Sequence, residues 1–167
     1  GAGGFAEYAC AAEKYFVHKP ANVSFEAAAA TPIVGLTAIQ GMRDYGHIQP
    51  GERVLINGAS GGIGTFAVQY AKALGVEVTG VTSTRNVELV RSIGADHVVD
   101  YTKTDFSQTG QQYDLIFDTI GNISISAARR ALQPQGRCVV AGFTTLRHIV
   151  ALSLFGNLKS EKAARKI

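Results

Sequence analysis

The chain has 167 residues, of which 46% are hydrophobic and 17% charged, and a formal net charge of +3. That length suits one domain with part of a neighbour, and that apolar share builds a packed core and excludes a disordered chain. No apolar run reaches the roughly 18 residues of a membrane-spanning helix, and Gly1–Cys10 lacks the basic-then-apolar order of a secretory signal.

Residues 4–20 alternate loosely (Phe5, Tyr8, Cys10, then Tyr15-Phe16-Val17) and end at Pro20, which predicts short strands or strand remnants. Ser24 is the expected N-cap of a helix carrying Glu26 and the alanine run 27–30. Pro32 is expected to start a second helix, running to Tyr45-Gly46. After the turn at Pro50-Gly51, strand and helix alternate. Arg53–Asn57 (RVLIN) is a short apolar run, typical of a strand buried on both faces. Ile63, Phe66, Ala67, Tyr70, Ala71 and Leu74 recur at helical spacing. Val76–Thr82 is the second strand, and Val87, Val90 and Ile93 mark the next helix. His97–Asp100 is the third strand, followed by a polar stretch, 101–113. Asp114–Ile120 is the fourth strand, Ser124–Leu132 a helix closed by Pro134 and Gly136, and Arg137–Ala141 the fifth strand.

This alternation implies right-handed crossovers and a doubly wound parallel α/β sheet, the Rossmann architecture, in the order 3-2-1-4-5. Cys138 falls inside the fifth strand and reads as core; with Cys10 far away, neither a four-cysteine zinc loop nor a disulfide framework can form. A reducing, cytoplasmic setting is the expectation. His18, His47, His97 and His148 are isolated and read as structural or exposed. The last nine residues hold Lys159, Lys162, Arg165 and Lys166 against Glu161, a surplus equal to the whole net charge. The basicity is therefore that of a tail, with no aromatic-rich nucleic-acid surface. With Met42 as its single methionine, the chain reads as a piece of a longer protein.

The strongest signal is the turn after the first strand. Asn57-Gly58-Ala59-Ser60-Gly61-Gly62-Ile63-Gly64 leads straight into a helix. Small residues allow a tight turn and a close approach to a pyrophosphate, and the helix N-terminus offers unpaired N–H groups to the phosphates. Read as GxGxxG, Ala59 takes the first glycine position and Gly61 and Gly64 the others. Read as GxxxGxG, the spacing is that of short-chain dehydrogenases. Their tyrosine with a lysine four residues later occurs only at Tyr15 and Lys19, upstream of the turn and out of context. A nicotinamide cofactor follows from the turn. An NAD-preferring site places an acid at the end of the second strand; here that end reads Val81-Thr82-Ser83-Thr84-Arg85-Asn86, with no acid between Glu77 and Glu88. Glu77 lies roughly 16 Å back along an extended strand, out of reach. Ser83 and Thr84 can donate hydrogen bonds, and Arg85 can pair with a 2′-phosphate, so NADPH is the expected cofactor.

With these residues in place, the chain resembles the medium-chain dehydrogenase/reductase superfamily, and most of all its zinc-independent branch of quinone oxidoreductases and enone reductases. The matching stretches are 4–8, Ala28-Ala29-Ala30-Thr31-Pro32 with Gly35-Leu36-Thr37-Ala38, Asn57 to Gly64, Leu89 to Tyr101, Phe117-Asp118-Thr119-Ile120-Gly121, and Gly136 to Gly142. The resemblance implies that residues 1–20 are the remnant of a chaperonin-10-like catalytic domain and 21–167 the cofactor domain. It implies Thr37 near the nicotinamide or its phosphates, and Tyr101 over the adenosine phosphate with Ser83 and Arg85 beside it. Thr119, Ile120, Gly142 and Phe143 would end the fourth and fifth strands at the cofactor. Arg165-Lys166-Ile167 would begin a sixth strand that pairs cofactor domains in a homodimer. The implied reaction is hydride transfer to a quinone or an α,β-unsaturated carbonyl, for which the chain alone, with most of a catalytic domain absent, is expected to be inactive. An enoyl-reductase module of a polyketide or fatty-acid synthase, or a non-catalytic nucleotide-binding domain, stays open.

Overall fold

A computed structural model of the chain describes residues 6–144. The chain divides into two compact units, Gly1–Pro32 and Ile33–Ile167. Residues 145–167, with His148, the basic tail and the expected sixth strand, lie outside the described residues, as do Gly4 and Phe5.

In the first unit, the strands expected over residues 4–20 do not form among the described residues: a single 3-10 turn, Glu13–Tyr15, is the only regular element before the first helix. A strand exists through its ladder partners, and the five strands among the described residues pair with one another. Tyr8 and Val17 accordingly stand exposed. Helix α1, Phe25–Ile39, begins where expected, with Ser24 Oγ accepting from the Ala27 N–H at 3.2 Å. The expected break at Pro32 does not occur; α1 runs through it. An internal proline forfeits one backbone donor, and the preceding alanines have the highest helix propensity. The helix then widens into a π-helical turn, Gln40–Tyr45, which ends where the sequence places the end of the second helix.

Among the described residues the second unit has five strands: β1 (Arg53–Asn57), β2 (Glu77–Thr82), β3 (His97–Asp100), β4 (Tyr113–Asp118) and β5 (Leu132–Val140). All pair in parallel, in the spatial order β3-β2-β1-β4-β5, as the alternation of elements predicts. Helices α2 (Gly62–Ala73), α3 (Val87–Ser92) and α4 (Ile125–Ala131) lie in the crossovers from β1 to β2, β2 to β3 and β4 to β5; between β3 and β4 the regular element is a 3-10 turn, Phe106–Gln108. The alternating faces of β1 feed two cores. Val54 and Ile56 pack with Met42, Ala67, Val68 and Ala71 on one side; Leu55 packs with Ile116, Ala128, Ala131 and Leu132 on the other. All six apolar residues picked out by helical spacing in α2 join the first core or pack against it. The boundaries differ most at β5, which begins directly after α4, with Pro134 and Gly136 inside its first half rather than in a helix-ending loop. The register jumps there, Tyr113 pairing with Leu132 and Leu115 with Arg137; such an irregularity is where a strand tolerates proline.

Arg137 closes this end of the sheet. Its guanidinium donates to both Glu52 carboxylate oxygens (2.8 and 2.6 Å), to the His47 carbonyl at 2.9 Å, to the Asp114 carbonyl at 3.2 Å and to the Gly46 carbonyl. One planar fork thus ties the loop before β1 to β4 and β5.

Candidate functional site

The carboxyl ends of β1, β2 and β4 open into a cleft of about 690 Å³, the usual place for a ligand in an open parallel sheet. Its walls include Gly58, Ser60 and Gly61 of the turn after β1, Ser83, Arg85 and Asn86 after β2, Tyr101 after β3, and Ile120 after β4. Of the residues singled out in the sequence, Ser60, Gly61, Ser83, Arg85, Tyr101 and Ile120 therefore meet at one cleft. Phe106, Ile123 and Ala127 add apolar surface to its lining.

The turn is built by close contact. Gly58 has φ +82°, and a Cβ there would stand 2.5 Å from Thr119 Oγ1; a Cβ on Gly64 would stand 2.1 Å from the Gly58 carbonyl oxygen. A side chain at Gly64 drives α2 away from the end of β1, and one at Gly58 collides with Thr119 and Ile120 after β4. Gly61 is the N-cap of α2 and gives no side-chain cap, so no side chain competes for the N–H groups of the first turn. Ala59 is fully buried and Ile63 packs against the core, so these two shape the turn from behind. Gly62 lies against Val34. Thr119 Oγ1 donates to the Asn57 carbonyl at 2.7 Å, turning its hydroxyl inward. Gly142 and Phe143 follow β5 beside Thr119 and Gly121, and Thr37 donates to the Ile33 carbonyl within α1; none of these three lines the cleft.

Three features of the site escape sequence reading. First, Ser60 Oγ accepts from Thr82 Oγ1 at 2.8 Å and from Asn86 Nδ2 at 3.1 Å. Both lone pairs are used, so the hydroxyl has only its proton left to offer. Secondly, Asp118 is fully buried at the end of β4. Its carboxylate accepts from Asn57 Nδ2 (2.8 Å) and from the N–H groups of Ile120 (3.0 Å), Gly121 (2.9 Å) and Ile123 (3.2 Å). Asn57 also donates to Asn122 Oδ1 at 2.8 Å. The loop that brings Ile120 to the cleft is folded around this one charge. Thirdly, Asp100 stands beside the end of β2, in register with Thr82. Its carboxylate accepts from Thr84 Oγ1 at 2.5 Å and from Thr102 Oγ1 at 2.7 Å. Those hydroxyls, Thr84 foremost, hold its pKa down at about 2. The strand pairing that delivers this acid is a tertiary fact; the only sequence hint was Asp100 at the tip of an expected neighbouring strand.

His97 is not isolated: its Nε2 lies 3.0 Å from Glu77 Oε1, at the opposite end of the sheet from the cleft. Burial pushes the Cys138 thiol up to about 12, with the Asp118 charge adding to it, so it is no nucleophile at neutral pH. Among the described residues no three His, Cys, Asp or Glu side chains come together as a metal-ligand set; the described part of the chain brings no zinc site. No helix among them is long and apolar enough to cross a membrane.

Residues 62–165 match the family described as zinc-binding dehydrogenase. The zinc-type alcohol dehydrogenase-like protein C16A3.02c of Schizosaccharomyces pombe is 37% identical over 88% of this chain and 44% of its own length. The chloroplast envelope quinone oxidoreductase homolog of Arabidopsis thaliana is 36% identical over 83% of this chain and 45% of its own. Among solved structures, the CurK enoyl reductase superposes with a TM-score of 0.71 at 34% identity, over 81% of this chain and 43% of that one. The chain spans less than half the length of these relatives.

Proposed function

Because this chain belongs to the zinc-binding dehydrogenase family, within the medium-chain dehydrogenase/reductase superfamily, we propose that it is the NADPH-binding part of an oxidoreductase that reduces a quinone or an α,β-unsaturated carbonyl. The observation that carries the reading is the uncapped N-terminus of α2, opening beside Ser60 into the cleft. The pyrophosphate would lie there, held by N–H groups and the helix dipole, with the Ser60 proton as a further donor. Arg85 and Ser83 would take the 2′-phosphate, and Phe106, Ile123 and Ala127 the adenine. Ile120 would close the cleft where β4 ends. Thr37, Thr119, Gly142 and Phe143 would serve the nicotinamide end.

A bound nicotinamide supplies the hydride. The chain's own part is to hold it in place and exclude water. Residues 1–20 are proposed as the last part of a catalytic domain, whose remainder would supply the substrate pocket; the chain alone would not turn over. The proposal extends to the zinc-independent branch, to a homodimer formed through cofactor domains, and to the cytoplasm, although the Arabidopsis relative carries the chloroplast in its name. The likeness to the CurK enoyl reductase favours a second reading, an enoyl-reductase module of a synthase.

Calorimetric titration of the 167-residue chain with NADPH and NADH tests the cofactor reading. Binding of NADPH, with NADH at least tenfold weaker, is expected. Failure to bind either cofactor, or a preference for NADH, overturns it.

A further inference from the structure

The turn after β2 is pinned at both ends and free in the middle. At one end Thr84 Oγ1 donates to Asp100 Oδ2 at 2.5 Å. At the other, Asn86 Nδ2 donates to Ser60 Oγ at 3.1 Å, and the Asn86 N–H closes the turn on the Ser83 carbonyl at 2.9 Å. Between them Arg85 lines the cleft and makes no hydrogen bond or ion pair among the described residues. The same carboxylate shapes the facing wall. Asp100 Oδ1 accepts from the Thr102 N–H (3.0 Å) and Oγ1 (2.7 Å). The Asp100 carbonyl accepts from the Lys103 and Thr104 N–H groups at 3.0 Å each, and Lys103 Nζ lies 3.6 Å from Oδ2. Asp100 therefore joins the loop that carries Arg85 to the loop that carries Tyr101.

A carboxylate at this place has two possible uses. Left open, it would accept from a ribose 2′-hydroxyl and repel a 2′-phosphate. Here both oxygens are occupied by threonine donors, with Lys103 near one of them, and the acid neither lines the cleft nor pairs with Arg85. We propose that Asp100 is a positioning residue for cofactor choice: by clamping Thr84 it holds the 83–86 turn so that the Arg85 guanidinium faces a 2′-phosphate. This rests on the NADPH reading above. Asp100 touches no part of the cofactor in this arrangement; it acts through Thr84.

The probes are 2′,5′-ADP, which carries the 2′-phosphate, and 5′-AMP, which lacks it, titrated into the 167-residue chain. In Asp100→Asn the group is isosteric but has one acceptor oxygen for two threonines. Affinity for 2′,5′-ADP is expected to fall about tenfold, the scale of one charge-assisted contact, with 5′-AMP unchanged. Thr84→Val is expected to reproduce the effect without touching the acid, and the double variant to be no worse than either single one. Thermal melts register whether each variant is folded; should Asp100→Asn fail to fold, Thr84→Val decides. Equal losses for both probes, or unchanged discrimination, overturn the positioning role. Tighter 2′,5′-ADP binding in Asp100→Asn also overturns it, since the acid would then be an electrostatic filter against the phosphate. A wild-type chain that does not tell the probes apart sinks the NADPH reading together with this one, whereas a discriminating wild type beside an unaltered variant sinks this one alone.

Discussion

Ser60 and Arg85 share the cleft but hold their chemistry in different ways. Ser60 is fixed, its oxygen saturated by Thr82 and Asn86. Arg85 is exposed, with no partner among the described residues. Loss of Ser60 should weaken both cofactors alike, because the pyrophosphate is common to them. Arg85→Ala should weaken NADPH by about 1–3 kcal/mol, the scale of a hydrogen bond to a charged group, and leave NADH nearly unchanged. Calorimetric dissociation constants for the two cofactors separate these outcomes, and equal loss in Arg85→Ala would remove its assigned role. Gly64 makes a steric prediction. Its missing Cβ would sit 2.1 Å from a backbone oxygen, so Gly64→Ala must shift α2 against β1. Overpacking of this kind costs about 1–3 kcal/mol. It should appear as a lower urea midpoint together with lost cofactor binding.

Between elements, two polar clusters do the joining. Arg137 and Glu52 are each about one-fifth exposed, at 19%, and the arginine also holds three carbonyls. Arg137→Met leaves Glu52 without its charge partner, and breaking such a pair costs about 3 kcal/mol. Equilibrium urea unfolding measures that loss. Cofactor affinity, measured well below the new midpoint, should be unchanged, since this cluster lies at the other end of the sheet. Asp118 has the opposite profile. Asp118→Ala strands one N–H of the Asn57 amide and three backbone N–H groups that fold the 119–123 loop, each unsatisfied group costing about 1–3 kcal/mol. Stability and cofactor binding should fall together. The family resemblance implied the end of β4 as a cofactor edge, but not that its loop is wound around a buried charge; hydrogen bonds from residues two to five positions on leave no periodic trace.

For the whole molecule, acid is the informative perturbant. Asp100 titrates at about 2 rather than its ordinary 3.8. Burial pushes Asp96 up, but hydrogen bonds from Lys72 and from the Val78 N–H outweigh it, and its pKa too lies below the ordinary value. A depressed carboxyl adds stability that is fully present above its unfolded pKa and is lost as pH falls toward its folded one. Urea midpoints should therefore be level between about pH 5 and 7 and fall below about pH 4. Asp100→Asn should remove part of that fall; an acid limb of unchanged depth would show that the clamp contributes nothing to stability.

The sequence by itself determined the five described strands and the glycine turn, because each is written locally; the strand order followed from the strand–helix alternation and the handedness of crossovers. Apolar runs, helical spacing and small residues between a strand and a helix are read from neighbours in the chain. It misjudged Pro32, which α1 runs through, and residues 6–20, whose loose alternation found no ladder partner among the described residues. What only the tertiary structure decided is which polar groups meet. The end of β2 carries no acid of its own; the one that arrives, Asp100, comes across the β2–β3 pairing. Parallel neighbours are brought together by a crossover helix, so their contact has no local signature, and the cleft's fine chemistry is written between strands rather than along them.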